Sequence, residues 1–445
     1  MPPPIALLLC ILFILFLFKM DSKREPKVSR ALWIPLIWML AIGSRPIIFW
    51  LNLGSGITIT ETANISGSPI DRTLFIVLTV AAILILSKRE IYWSQIMKRN
   101  FLMILFVLYC GISILWSDYP FVSFKRWVMG LGYFIMVLLV LTEANPIEAL
   151  KSIFRRYSYV FIPLSIVLIK YYPYLGRGYD PWTGVPVNIG ITTDKNNLGQ
   201  SCLICGLFYA WHFLLLWRKK KIPVNTREIS INFLFLLMIS WLLIQASSAT
   251  SFMSLIIGIC IFTGLSAIKR NVRQAGVIIL VGMATFFLLL LSLDAIEIII
   301  SSLGRATTLS GRTELWYEVL DIDNNPLIGA GFDSFWLGNR VRPLWEKHWW
   351  RPTQAHNGYI EIYLNLGLIG LFFIIGVAMS TYAKICKVLP FDFDFGRFQM
   401  AYLFVFLMTN ITENIIFRGV MWFIFLFIAI DCPHCTPLKG ATTMK

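Results

Sequence analysis

At 445 residues with 57% hydrophobic side chains and a mean hydropathy of +0.72, the chain is too apolar for a soluble globule, and its long apolar runs can each cross a bilayer. A β-barrel needs period-two alternation and is excluded, because these runs are apolar on every face. The net charge of +15 does not indicate nucleic acid, since the basic residues cluster in loops between the runs, where membrane topology accounts for them.

The expected fold is an all-α polytopic transmembrane bundle of about 12–13 spans. Its first run, 4–18, has no basic stretch before it and no small-residue cleavage site after it, and reads as a membrane helix and not a removable signal. Further spans are expected at 31–51, 73–87, 101–116, 127–142, 158–172, 198–217, 231–245, 251–268, 275–293, 357–382 and 399–430, the last being one broken helix or two short ones. Residues 1–293 thus form N-terminal transmembrane helices, 294–356 one long periplasmic loop carrying active-site residues, and 357–445 C-terminal transmembrane helices with a short tail. When the spans alternate, the basic loops at 23–30, 88–99, 151–156, 218–221 and 269–273 fall on one side, which the positive-inside rule makes the cytoplasm. The loops at 52–72, 117–126, 173–197 and 294–356 then face outward. No internal repeat is visible, which disfavours a transporter built from paired halves. Most of the eight cysteines lie inside apolar runs as small hydrophobes. Cys432-Pro433-His434-Cys435 has neither a second ligand pair nor a thioredoxin-like βαβ pattern around it.

Four polar stretches stand in or beside the outward loops. They are Thr192-Thr193-Asp194-Lys195-Asn196-Asn197-Leu198-Gly199; Ser310-Gly311-Arg312-Thr313-Glu314-Leu315-Trp316; Pro326-Leu327-Ile328-Gly329-Ala330-Gly331-Phe332; and His356 followed by Gly367. In this order the combination resembles the O-antigen ligase and polymerase superfamily, within it most of all the exopolysaccharide polymerases, from about Gly43-Ser44-Arg45-Pro46 to Glu413. The resemblance implies a membrane glycosyltransferase of the GT-C type on the outer face of the bacterial inner membrane. It would transfer a glycan from undecaprenyl diphosphate to an acceptor hydroxyl of a second glycan, with no metal and no other cofactor. The lipid bilayer, the lipid-linked donor and the glycan acceptor are the implied partners, with other polysaccharide export proteins beside them and no nucleic acid.

Such a transfer needs cations for the diphosphate leaving group and a base for the hydroxyl proton. Arg312 suits the first task, because a guanidinium can fork two phosphate oxygens; the plain alternative is a solvated helix residue paired with Glu314 or Asp321. Lys195, with the amides of Asn196 and Asn197, stands just before a span at the depth of a lipid-linked diphosphate, or else it snorkels to anchor a helix end. Other superfamily members carry an arginine where this chain has Gln245-Ala246-Ser247-Ser248-Ala249-Thr250-Ser251. Lys195 or Arg126 would replace that charge, Arg126 being equally readable as an interfacial anchor. His356 can accept the acceptor's proton or hold its hydroxyl, or it can simply cap a helix. In a straight helix Gly367 lies on the His356 face about 16 Å deeper, where a glycine lets a neighbouring helix or a lipid chain approach. Trp336, Trp345, Trp349 and Trp350 stack on sugars or form an interfacial belt. Glu413, with Asn410, Asn414 and Arg418, interrupts the last apolar stretch as a substrate-binding group or as a structural Glu413–Arg418 pair.

The reading is therefore a polymerase of lipid-linked exopolysaccharide repeats, with Arg312 and His356 catalytic and Lys195, Asn196, Asn197, Arg126 and Glu413 binding the substrate. A ligase that moves a finished glycan onto a lipid or protein shares the donor chemistry and stays open. A transporter or flippase of the same lipid-linked sugar is the rival from another class.

Overall fold

The computed structural model describes residues 1–24, 28–51, 68–180, 184–218, 226–267 and 310–433. The expected span at 275–293, the basic loops at 219–221 and 269–273, Lys27, and His434 and Cys435 lie outside the described residues.

Among the described residues, eight helices are long and apolar enough to cross a membrane, or nine if the Trp93–Arg99 and Phe101–Trp116 pair, bent by 88°, is one span. The eight are Pro3–Asp21, Pro69–Leu86, Pro120–Leu141, Pro146–Tyr171, Lys195–Leu216, Thr226–Ala246, Ala249–Ser266 and Gly358–Val388. The protein is thus an all-α, multi-pass membrane bundle, and a hairpin of two three-residue strands, Arg177–Tyr179 against Pro186–Asn188, is its one sheet among the described residues.

Two expected spans are broken for identifiable reasons. The run at 31–51 stops at Gly43 and resumes as Ile47–Leu51. Pro46 supplies no N–H and disfavours helical geometry at Arg45, whose own N–H bonds to the Ile191 carbonyl at 3.0 Å. The run at 399–430 divides into Phe393–Thr412 and Gly419–Ala429. Every residue from Val420 to Ala429 is buried, as expected for a helix that is apolar all round and sits at the centre of a bundle. The periphery is different: the membrane-crossing windows of Pro3–Asp21 and Pro69–Leu86 are only 17% buried, leaving apolar side chains for lipid.

Eleven residues of helix rise about 16 Å, roughly half of the hydrocarbon thickness. The connection Glu413 to Arg418 is buried or half-buried throughout, as irregular backbone within a membrane bundle must be where protein surrounds it or a cavity abuts it.

Ion pairs separate the two ends of the bundle. At one end Asp21 accepts Arg155 Nε at 2.9 Å and Arg156 Nε at 2.7 Å. Glu143 there binds Arg89 and accepts the Ser29 hydroxyl at 2.8 Å, and Arg99 reaches Asp431 at 3.2 Å. Lys195, Arg126, Arg312 and His356 are at the other end, where Arg340 also pairs with Asp118 at 2.6 Å.

Candidate active site

The site is built on an interruption in the Gly358–Val388 helix. Gly367 has φ 63° and ψ −163°, so the helical bonds that would join Leu368 and Ile369 to the carbonyls of Leu364 and Asn365 are lost. The turn after Asn325 replaces them. Ala330 N–H donates to Leu364 O at 3.0 Å and Gly331 N–H to Asn365 O at 2.9 Å, while Leu368 and Ile369 donate to Pro326 O at 2.9 Å and Leu327 O at 3.2 Å. A Cβ on Gly367 would stand 2.2 Å from the Leu327 carbonyl carbon, so only glycine fits both the left-handed backbone and the contact. The group that Gly367 admits is thus the 326–331 turn, not a neighbouring helix or a lipid chain. His356 precedes the helix and the helix is broken at Gly367, so the straight-helix separation of the two does not apply.

Two and six residues before Gly367 on this helix, Asn365 and Glu361 fix the flanking loops. Asn365 Oδ1 accepts the N–H groups of Ser334 at 2.9 Å and Phe335 at 3.0 Å. Glu361 is buried and accepts Trp336 Nε1 at 3.0 Å and Ala355 N–H at 2.6 Å. Asp333 and His356, the residues next to these anchors, have positive φ of 50° each, and Phe417 has 59°. Left-handed backbone at non-glycine residues costs energy and is kept where surrounding contacts over-determine it. Here all three positions border one site.

Its first half is a cation–carboxylate–imidazole cluster. Arg312 Nη2 lies 3.2 Å from Glu413 Oε1, and Arg312 Nη1 donates to the Thr412 carbonyl. His356 Nδ1 lies 3.7 Å from Glu413 Oε2, an ion-pair distance rather than a hydrogen bond. Gly358 N–H donates to the Glu413 carbonyl at 3.1 Å. A Cβ on Gly358 would stand 2.1 Å from Asn410 Oδ1, so the loop carrying His356 is drawn tight against the end of the Phe393–Thr412 helix. Asp194 is close enough to feel both Glu413 and His356. Although part of its surface stays open, the protein around it and then the Glu413 carboxylate push its carboxyl above the usual range, against the bond it accepts from Asn197 N–H.

The second half is a cavity of about 960 Å³. Arg72, Arg126, Tyr133, Asn197, Asp333 and Arg418 are among the residues that line it. Arg126 Nη1 stands 3.3 Å from Asp333 Oδ2, and Arg418 Nη2 stands 3.0 Å from Asp333 Oδ1. Asn197 joins the halves, since it lines the cavity while its N–H donates to Asp194 at 2.9 Å.

Several expected pairings are corrected. Arg312 pairs with Glu413, neither with Glu314 nor with Asp321. Glu413 and Arg418 do not pair with each other: the first takes Arg312 and His356, the second Asp333. Lys195 is engaged by Asp180, at the end of the small hairpin, and Asn196 is half-buried in the first helical turn. Trp336 is buried on Glu361 and Trp345 donates to Pro352 O at 2.9 Å, so neither indole N–H is directed to a ligand, whereas Trp349 is exposed. Sequence reasoning passed over Glu361 and Asn365 and gave Asp333 no part with the arginines. Glu361 and Asn365 carried a signal, being polar residues at i and i+4 on an otherwise apolar helix.

Residues 233–375 match the family model described as O-antigen ligase. Over 302 residues, 65% of its length, the chain is also 23% identical to the "Exopolysaccharide production protein ExoQ" of Rhizobium meliloti (strain 1021). That match spans 66% of the relative's own length. The matched segment contains Arg312, Asp333, His356, Glu361, Asn365 and Gly367. Glu413, which brings Arg312 and His356 together, comes from beyond it, as do Arg126 and Asn197.

Proposed function

We propose that this chain is a membrane glycosyltransferase that polymerises undecaprenyl-diphosphate-linked repeats of an exopolysaccharide on the outer face of the bacterial inner membrane. The observation that carries the reading is the convergence of Arg312 and His356 on Glu413, beside a cavity rimmed by Asn197 and Arg126. In the reaction, the bond from the donor's anomeric carbon to the phosphate oxygen breaks as the acceptor hydroxyl oxygen bonds to that carbon. The hydroxyl proton goes to His356, and the lipid diphosphate leaves with its charge countered by Arg312. Glu413 acts through its neighbours, steadying the imidazolium at 3.7 Å and aiming the guanidinium at 3.2 Å. Lys195, engaged by Asp180, keeps the hairpin beside the donor, and Asn196 and Asn197 offer amides to it.

The basic residues gathered at the opposite end of the bundle support an outward-facing site under the positive-inside rule. A deletion strain tests the function: lipid-linked material limited to one repeat is expected. The family description favours ligation as the second reading, and full-length chains left unattached in that strain would establish it instead. Turnover by purified protein is expected to survive a chelator; loss on chelation with rescue by one divalent ion would send the search to Asp180, Asp194 and Asp333.

A further inference from the structure

Arg126, in the Pro120–Leu141 helix, and Arg418, at the mouth of Gly419–Ala429, share one carboxylate, that of Asp333. Arg126 Nη1 also donates to the Asp333 carbonyl at 2.5 Å. Each guanidinium has five N–H donors, and among the described residues Asp333 is the only acceptor that either one meets. The side chains of Arg126 and Asp333 are 27% exposed and that of Arg418 is 41% exposed, and all three border the cavity, so most of their donors are left for something that enters it.

The other charges nearby do not fill this need. Asp71 accepts Ile47 N–H at 2.8 Å, and Glu361, close to Arg418, already binds Trp336 and Ala355. Arg72 adds a further cation to the lining. Two partly desolvated guanidiniums held on one carboxylate suit an incoming oxyanion, which can fork both. The carboxylate sits in a turn fixed by Asn365 and keeps a left-handed φ of 50°.

We propose that Arg126 and Arg418 form an oxyanion seat inside the cavity and that Asp333 is its resident counter-ion, displaced when a diphosphate or a sugar carboxylate binds. The seat deepens the reading above by giving the cavity's ligand a charge. Its test needs no turnover, so its failure is distinct from a failure to polymerise.

Purified full-length protein in nanodiscs is titrated calorimetrically with inorganic pyrophosphate and, separately, with D-glucuronate. Asp333→Asn, which tolerates a left-handed backbone, is expected to bind one probe at least about tenfold tighter than the unsubstituted protein. Adding Arg126→Gln and Arg418→Gln to that variant is expected to abolish the gain. A gain with pyrophosphate marks a phosphoryl seat, and a gain with glucuronate marks a carboxylate seat. No gain with either probe, or a gain that survives loss of both arginines, overturns the proposal. If Asp333→Asn does not fold, Asp333→Gly vacates the seat without backbone strain. Arg126→Gln alone supplies an independent check, because pyrophosphate and glucuronate affinities equal to those of the unsubstituted protein would also overturn the seat.

Discussion

Replacing Glu413 by Gln keeps an oxygen for Arg312 and removes the charge that faces His356. At 3.7 Å, two unit charges interact by about 1 kcal/mol in a water-like dielectric and about 4 kcal/mol at an effective value of 20. With His356 20% and Glu413 10% exposed, an intermediate figure of about 2 kcal/mol applies. That attraction exists only once the imidazole has taken the acceptor's proton, so it lowers the barrier and not the ground state. Its loss corresponds to a fall in turnover of about 30-fold. Arg312, relieved of its carboxylate, keeps its charge for the diphosphate, so the donor KM is expected not to rise. The assay is the rate of chain growth by purified protein on a lipid-linked repeat, measured over a range of donor concentrations. Turnover within about twofold of the unsubstituted rate, or a raised donor KM at unchanged kcat, would refute the role given to Glu413.

The other expectations follow from the same geometry. His356→Ala is expected to lower turnover by roughly 10²–10⁴-fold with donor binding intact; rescue by His356→Gln would mean that the residue only positions the hydroxyl, and a parallel loss of donor affinity would place it at the diphosphate instead. Arg312→Lys keeps charge but not the fork, so activity is expected to drop sharply in protein that still inserts, and near-normal polymer output would reduce Arg312 to a structural residue. Gly367→Ala forces a Cβ onto the Leu327 carbonyl carbon at a positive φ, and a loss of at least about 2 kcal/mol is expected; an unchanged melting temperature in detergent would contradict the inserted turn. A cysteine at Asn339 is expected to react with impermeant reagent from outside while one at Lys23 is protected, and the reverse pattern would invert the site.

Much of the bundle was legible because a membrane span must be apolar along its whole length, and the runs at 4–18, 73–87 and 231–245 need no tertiary partner to declare themselves. Pairings were less legible. Glu413 and Arg418 are opposite charges only five residues apart, and closeness in sequence alone suggested the pair. Both instead adopt extended backbone, with φ/ψ of −142°/151° and −132°/142°, so each reaches a different element. Gly367 was visible as a glycine that admits close approach, but its left-handed backbone was not, because glycine accepts either sign of φ. Asp333 gave no sign that it would hold two arginines. It lies in a turn whose course is set by backbone bonds to a helix break, and hydropathy does not register such bonds.

The central claim is tested most directly by supplying the purified protein, in a lipid nanodisc, with a single undecaprenyl-diphosphate-linked repeat and following both products. The account predicts a ladder of two, three and more repeats on the lipid, with one undecaprenyl diphosphate released for each new linkage and release slowed by roughly 10²–10⁴-fold in His356→Ala. A repeat that stays single, or one that moves only to an unrelated lipid or protein acceptor, would contradict it.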